Sequence, residues 1–182
     1  ARRLPSSHAR AACGAPHDLN PFIVMTPDLQ RRVQRYGWDR AAPYYETFWK
    51  QQLAPAQERL LERADLQDFD RVLDVACGTG LVTFPAAEQV GPWGKVLATD
   101  LSDEMVACVR AEAYRRQCGQ VLARRMDAEQ LDCPDRSFDA ALCALGLMYV
   151  PDPLRALREM RRVLRPGGRA VAPAWAKPER CR

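Results

Sequence analysis

The chain has 182 residues, a length that predicts one domain or one domain with a tail. Apolar residues make up 47% and charged residues 27%, and the formal net charge of +4 does not by itself require a nucleic-acid partner. With ten glycines and 14 prolines, the sequence is not that of a collagen or a low-complexity chain. Its longest apolar stretch, at residues 140–150, is shorter than the about 20 residues of a bilayer-spanning helix, so no membrane span is predicted.

The seven cysteines predict neither a metal site nor a disulfide framework. Their number is odd, no pair has the C-x-x-C spacing, and both histidines lie within the first 17 residues. No secretory signal precedes them. We therefore interpret them as reduced thiols of a cytoplasmic protein.

Residues 1–24 show no hydrophobic periodicity, and the chain begins with Ala rather than Met. We interpret them as a disordered tail or as translated sequence upstream of a start at Met25. Their arginines, small residues and single acid also loosely match an organellar transit peptide, which stays as the alternative. Residues 25–182 are predicted to form a single domain.

The first part of that domain, residues 27–66, is predicted to be helical, with two or three short helices over residues 28–64. Pro27, Pro43 and Pro55 each stand where a helix could begin, since proline is tolerated in a first turn. Aromatic side chains on these helices either pack in the core or roof a ligand site: Tyr36, Trp38, Tyr44, Tyr45, Phe48 and Trp49.

From residue 70 to residue 175, strands are predicted to alternate with helices. The predicted strands cover residues 72–76, 96–99, 121–123, 138–143 and 169–175. A helix is predicted over residues 81–90, a second after the capping residues Ser102 and Asp103, and a third that Pro166 and two glycines end. Such alternation predicts an α/β fold with a doubly wound, Rossmann-like parallel sheet.

Polar and glycine residues follow the predicted strands, where the carboxyl ends of a parallel sheet form a ligand site. The Gly78-Thr79-Gly80 turn allows close approach of a ligand to the backbone, and the helix after it favours an anionic group. Asp100 follows the second strand and can accept both hydroxyls of a ribose. Asp127, followed by Ala128, comes after the third strand. Each feature alone has a structural explanation, such as a tight turn or a helix cap, but their combination favours a ligand site.

The dinucleotide fingerprint G-x-G-x-x-G is incomplete here, because its third small position is Thr83, and the acidic Asp74 lies inside the first strand. Four segments instead resemble, in order, the motifs of class I S-adenosylmethionine-dependent methyltransferases: VLDVACGTG (72–80), ATDLS (98–102), MDAEQLDCPDRSFDAAL (126–142) and LREMRRVLRPGG (157–168). The most similar group is the type-11 set that includes the ubiquinone/menaquinone methyltransferases. WDRAAPYYETF (38–48) is similar to that group's N-terminal helix, so the resemblance covers about residues 36–175.

The resemblance implies an S-adenosylmethionine site and a sheet of order 3-2-1-4-5. It places Asp74 near the amino group of that cofactor, with Ala76, Gly78 and Gly80 along its methionine part. It assigns Asp100 to the ribose and Leu101 to the adenine face. It assigns Asp127 to the adenine amino group, with the Ala128 amide beside it. It also implies that Cys77, Thr79, Met126 and Cys143 lie at the cofactor. Ala76 stands where the usual motif has its first glycine, a change of one methyl group.

The family reaction is an in-line displacement on an activated sulfonium, so alignment and exclusion of water matter most and no obligatory catalytic residue is expected. Tyr45, Tyr149 and Asp152 are candidates for a base, but each also suits packing or capping, and none is assigned. The acceptor is predicted to be a small molecule, possibly bound poorly for the reason given next.

The family fold has seven strands, whereas this chain ends after the predicted fifth. We therefore expect an incomplete copy with impaired activity, lacking strands 6 and 7, and an exposed fifth strand through which copies could associate. Five arginines on the preceding helix are interpreted as its solvated face, which makes a nucleic-acid partner unlikely: Arg155, Arg158, Arg161, Arg162 and Arg165. The alternatives are an NAD(P)-binding oxidoreductase and a non-catalytic cofactor-binding fragment.

Overall fold

The protein is described by a computed structural model that covers residues 25–175, and the predictions for residues 1–24 lie outside this range. The helices and strands, in chain order, are α1 (Pro27–Ala41), α2 (Tyr45–Ala64), β1 (Arg71–Val75), α3 (Thr83–Val90), β2 (Lys95–Asp100), α4 (Asp103–Arg115), β3 (Val121–Arg125), β4 (Phe138–Leu142), α5 (Pro153–Val163) and β5 (Leu164–Val171). None of these helices is long and apolar enough to cross a membrane.

The five strands form one parallel sheet of order β3-β2-β1-β4-β5. The α/β class, the parallel sheet and the strand order are therefore confirmed. The central strand β1 pairs with β2 on one side and with β4 on the other. Because all strands run the same way, the loops that follow β1, β2, β3 and β4 meet at one edge of the sheet.

Alternate residues of β1 pack on opposite faces of the sheet, as the period of a strand requires. Val72 lies in a buried cluster with Leu60 of α2 and Val90 of α3. Its neighbour Leu73 lies in a second cluster with Met160 of α5. Helices thus cover both faces of the central strand, which explains why β1 has no exposed residue after Arg71.

Side-chain oxygens begin three of the helices. The Thr26 hydroxyl accepts a hydrogen bond from Leu29 N at 3.3 Å, and α1 then starts with a proline. The Ser102 hydroxyl accepts from Met105 N at 3.1 Å, as predicted for α4. The Asp152 carboxylate accepts from the first turn of α5 in the same way. These caps fix the points at which the loops of the sheet edge pass into helices.

The N-terminal helices are longer than predicted. A short 3-10 turn at Ala42–Tyr44 joins α1 to α2, and Pro55 lies inside the 20-residue helix α2 rather than at a helix start. An internal proline costs a helix about 3 kcal/mol. Helix α2 continues past Pro55 because Leu53 before it and Leu60 after it are both buried in the core.

The predicted start of the fifth strand is wrong. Strand β5 begins at Leu164, directly after α5, and includes the proline and glycines that were expected to separate the two elements. Its pairing with β4 shifts between Phe138 and Ala140, where the partner moves from Leu164 to Arg169. A β carbon at Gly168 would lie 3.1 Å from the Asp139 carbonyl oxygen, so the glycine lets the looped-out backbone pass close to β4.

Three of the five arginines on and after α5 bind acceptors of the protein. Arg155 donates to the Glu129 carbonyl, and the guanidinium of Arg162 pairs with Glu159. Arg165 pairs with Asp139 at 2.7 Å. These contacts explain most of the basic stripe as part of the structure of the domain.

Candidate functional site

A cleft opens at the carboxyl edge of the sheet, where the loops after β1, β2, β3 and β4 meet. It encloses about 1020 Å³, including space open to solvent at its mouth. Seven of the sequence-predicted site residues line it together: Ala76, Gly78, Asp100, Leu101, Met126, Asp127 and Ala128. Cleft positions at the ends of central strands are where open α/β sheets bind ligands.

The loop after β1 turns sharply through three residues with positive φ. Ala76, Gly78 and Gly80 have φ values of 54°, 55° and 95°. Gly80 N donates to the Cys77 carbonyl at 3.0 Å, which closes the turn, and α3 begins only at Thr83 instead of the predicted residue 81. Two glycines at these positions avoid the steric cost that a side chain pays in the left-handed region, and they leave backbone facing the cleft.

Asp100 joins the loop after β1 to the loop after β2. Its Oδ2 accepts a hydrogen bond from Gly78 N, and its Oδ1 accepts one from Ser102 N, both at 2.9 Å. Burial raises the pKa of this carboxyl, and the two backbone donors oppose that rise. Asp100 is therefore not the cap of α4, which is Ser102. It is a nearly buried carboxylate held in place at the wall of the cleft.

Asp127 lies on the opposite side of the cleft, in the loop after β3. Its Oδ1 accepts from Glu129 N at 2.9 Å, and its Oδ2 lies 2.7 Å from Nε of Arg31. Met126 N donates to the Asp100 carbonyl at 2.9 Å, so this loop is tied directly to the end of β2. The side chains of Leu101 and Met126 add apolar surface between the two carboxylates.

The other five predicted site residues lie around or beneath the loop and do not line the cleft: Asp74, Cys77, Thr79, Gly80 and Cys143. Asp74 is fully buried and its Oδ2 accepts from the Thr83 hydroxyl at 2.7 Å. Burial raises the pKa of the Asp74 carboxyl to about 7. Its Oδ1 and the Thr79 hydroxyl are both buried with no hydrogen-bond partner in residues 25–175. Such orphaned acceptors are uncommon in proteins and mark a place where a donor from a ligand is accommodated.

Helix α1 and the start of α2 form the roof of the cleft, with Arg31, Gln34, Trp38, Tyr45 and Trp49 among its lining residues. The Trp38 ring meets the Tyr149 ring edge to face, with 5.2 Å between centroids, and meets Tyr45 at 6.0 Å. Burial, with the charges of Tyr149 and Asp100, raises the pKa of Tyr45 to about 12. Sequence analysis missed Arg31 and Gln34, because nothing in their helical pattern indicates which loop they face.

The loop after β4 completes the cleft through Ala144, Leu145, Gly146 and Tyr149. Leu145 has a positive φ of 60°, and a β carbon on Gly146 would lie 2.5 Å from that of Ala76. Of the three candidate bases, Asp152 serves as the cap of α5, whereas the two tyrosines line the cleft. Within the described range, no group of three or more His, Cys, Asp or Glu side chains is arranged to hold a metal ion.

A family model described as a methyltransferase domain matches residues 73–172, more than half of the chain. Over 132 residues the chain is 37% identical to nocamycin O-methyltransferase from Saccharothrix syringae, a match that covers 72% of this chain and 47% of that protein. Over 122 residues it is 38% identical to demethylmenaquinone methyltransferase from Geobacillus kaustophilus (strain HTA426), covering 67% of this chain and 52% of that protein. The chain thus spans about half the length of the curated relatives it matches.

Among solved structures, the fold is similar to that of Haemonchus contortus phosphoethanolamine N-methyltransferase 1, solved with phosphoethanolamine and S-adenosylhomocysteine. The two superpose with a TM-score of 0.72 over 87% of this chain and 35% of that chain. Their sequence identity is 20%, so this likeness bears on the fold alone.

Proposed function

The chain belongs to the class I S-adenosylmethionine-dependent methyltransferases, in the type-11 methyltransferase-domain family, and on that premise we propose that it transfers a methyl group to a small-molecule acceptor. The observation that carries the proposal is the meeting of Gly78, Asp100 and Asp127 at one cleft. Separate structural roles for these residues would not require them to share a cavity.

The residues of the cleft fit the cofactor of the family. Asp100 presents a fixed carboxylate that can accept the two hydroxyls of a ribose. Leu101 and Met126 offer apolar contact to the adenine ring, and Asp127 an acceptor to its amino group. The unpartnered Asp74 Oδ1 suits an ammonium group, either directly or through water. Bound here, S-adenosylmethionine supplies an activated methyl group on a sulfonium.

The protein's own contribution to the reaction is alignment in a site shielded from water. The roof of α1 and α2 covers the loop after β1, and a β carbon at Gly78 would lie 3.8 Å from the ring of Tyr45. Holding two reactants in line is worth about 7–11 kcal/mol of a barrier. No side chain is assigned as a base, because Tyr45 is protonated at neutral pH and Asp152 caps a helix.

We propose a flat, aromatic or quinol-type acceptor. The cleft has more apolar than polar surface, and Trp38, Trp49, Tyr149 and Trp175 all border it. Aromatic walls bind planar rings by stacking or edge-to-face contact. Relatives named for nocamycin and for demethylmenaquinone support this class of acceptor. A cytoplasmic location stays part of the proposal, supported by five free cysteines among the described residues.

Isothermal titration with S-adenosylhomocysteine and with NAD⁺ and NADP⁺ tests the cofactor. We expect saturable binding of the first and none of the others. Binding of a nicotinamide cofactor alone would instead support an oxidoreductase, and binding of none would support an interaction module. A mass-spectrometric screen of quinols, phenols and small amines with S-adenosylmethionine then tests the acceptor, with a gain of one methyl group expected on a phenolic or quinol compound.

A further inference from the structure

Arg31 of α1 reaches across the mouth of the cleft to two carboxylates of the loop after β3. Its Nε lies 2.7 Å from Asp127 Oδ2, and a terminal nitrogen lies 2.5 Å from Glu129 Oε2. The side chain of Arg31 is 24% exposed, and those of Asp127 and Glu129 are 27% and 3% exposed. One guanidinium thus binds both carboxylates in a partly desolvated place, where charged hydrogen bonds are strong and directional.

Glu129 connects this contact to the start of α5. Its Oε1 accepts a hydrogen bond from Asp152 N at 3.2 Å, while its carbonyl oxygen accepts from Arg155 Nε at 2.9 Å. Among the described residues, Arg31 is the cation that neutralises the Glu129 carboxylate. Without Arg31, the charges of Glu129 and Asp127 would repel each other, and the nearly buried one would lack its counter-charge.

Two further contacts fasten α1 over the same side of the cleft. Gln30 Nε2 donates to the Tyr149 carbonyl at 3.1 Å, next to Arg31 on the helix. Toward the other end of α1, Asp39 Oδ1 accepts from the Ser102 hydroxyl at 2.6 Å. Helix α1 is therefore bound to the loops after β2, β3 and β4, and Arg31 is its charged contact with a predicted cofactor ligand.

We propose that Arg31 is a positioning residue that orients the Asp127 carboxylate toward the adenine amino group and thereby sets the selectivity of the site for adenine. The inference rests on the proposed function, since it assumes that Asp127 receives the base. Asp127 Oδ1 is fixed by Glu129 N and Oδ2 by Arg31, so the carboxylate cannot rotate, yet each oxygen keeps a lone pair for a further donor. A freely rotating carboxylate would discriminate less between an amino group and a carbonyl oxygen at the base.

The test compares two ligands that differ at this position of the base, S-adenosylhomocysteine and S-inosylhomocysteine. Isothermal titration gives the affinity of each for the wild-type protein, Arg31→Gln and Arg31→Lys. Arg32→Gln and Arg35→Gln are matched controls, because both arginines are exposed on α1 and make no ion pair in the described structure. Arg31→Gln is expected to bind the adenosyl ligand about 10-fold more weakly and the inosyl ligand nearly unchanged. Arg31→Lys should retain part of the selectivity, and the controls should stay within about 2-fold of wild type.

A loss of the same factor for both ligands would reduce Arg31 to a general structural role and overturn the proposal. Tighter binding of the adenosyl ligand by Arg31→Gln would also overturn it, because Arg31 would then compete with the base for Asp127. The double variant Arg31→Gln with Glu129→Gln removes the unpaired buried charge should the single variant fold poorly, and the same loss of selectivity is expected. Failure of the wild-type protein to bind either ligand refutes the proposed function, and with it the adenine role of Arg31. Amide exchange of α1 in the absence of ligand then shows separately whether Arg31 holds the helix.

Discussion

The β carbon of Ala76 occupies the space that a side chain on Gly146 would need. A β carbon built on Gly146 lies 2.5 Å from Ala76 Cβ and 3.0 Å from Cys143 Sγ. Ala76 stands at the motif position where the family usually has glycine, and its φ of 54° is one that glycine adopts more readily. The extra methyl group is accommodated because the facing loop has a glycine at the point of contact. The loops after β1 and β4 therefore approach closely at this one place beside the cleft.

Gly146→Ala is expected to destabilise the protein by about 1–3 kcal/mol, because neither backbone can move away without disturbing the cleft. The double variant Gly146→Ala with Ala76→Gly should recover more than half of that loss, since the 2.5 Å contact disappears. Urea unfolding of the wild type, both single variants and the double variant forms the cycle. Additive effects of the two substitutions would contradict the contact.

Gly80→Ala is expected to destabilise the protein by about 2–4 kcal/mol. Its φ is 95°, and an added β carbon would lie 2.7 Å from the ring of the buried Phe84 and 3.2 Å from Val109. Gly37→Ala is the matched control, because a β carbon there meets nothing within 4 Å and helix α1 gains propensity worth up to about 1 kcal/mol. Thermal unfolding of both variants measures the difference, and equal midpoints would refute the strain assigned to Gly80.

The Asp74 carboxyl is expected to make the protein without ligand less stable as the pH rises from about 4 to 7. Burial raises its pKa to about 7, so between these pH values the folded state holds a proton that the unfolded state has released. Stability from this group is therefore present at low pH and lost on the way to pH 7, by up to about 4 kcal/mol. Asp74→Asn removes the titration. The stability difference between wild type and variant, measured by urea unfolding at pH 5 and pH 8, should shift in favour of the variant at pH 8. A difference independent of pH would show that Asp74 does not titrate in this range.

Asp100→Asn is expected to weaken binding of S-adenosylhomocysteine by about 10- to 100-fold, because hydrogen bonds to a charged group contribute about 1.5–3 kcal/mol. The amide keeps the shape of the side chain, so the loss reports on the charge. Asp103→Asn is the control, because that carboxylate is 59% exposed, pairs with Arg125 and lies outside the cleft. Calorimetric titration of both variants decides the matter, and unchanged affinity in Asp100→Asn would remove Asp100 from the cofactor site.

The sequence predicts the sheet well because strand and loop signals are local. The apolar runs around Val72 and Val96 and the glycines at 78 and 80 locate β1, β2 and the turn between them. The start of β5 was wrong because Pro166 and Gly167 have the composition of a helix stop, while their position in a strand depends on pairing with β4. Local composition does not encode that pairing.

The roof of the cleft shows the other limit of sequence analysis. Arg31 and Asp127 are 96 positions apart, and only the assembled fold brings them together. The aromatic residues of the N-terminal helices were expected either to pack in the core or to roof a site. The structure separates them, since Trp38 and Tyr45 line the cleft while Tyr36 and Phe48 are each 63% exposed. Which side of a helix faces a cleft depends on contacts far along the chain.

A crystal structure of the protein with S-adenosylhomocysteine tests most directly whether one nucleoside is held by the loop at Gly78, by Asp100 and by Asp127. We predict ribose hydroxyls within hydrogen-bonding distance of the Asp100 carboxylate and the amino group of adenine at Asp127, beneath helix α1. A nucleoside bound elsewhere on the protein, or bound in the cleft without contact to either carboxylate, would contradict this account.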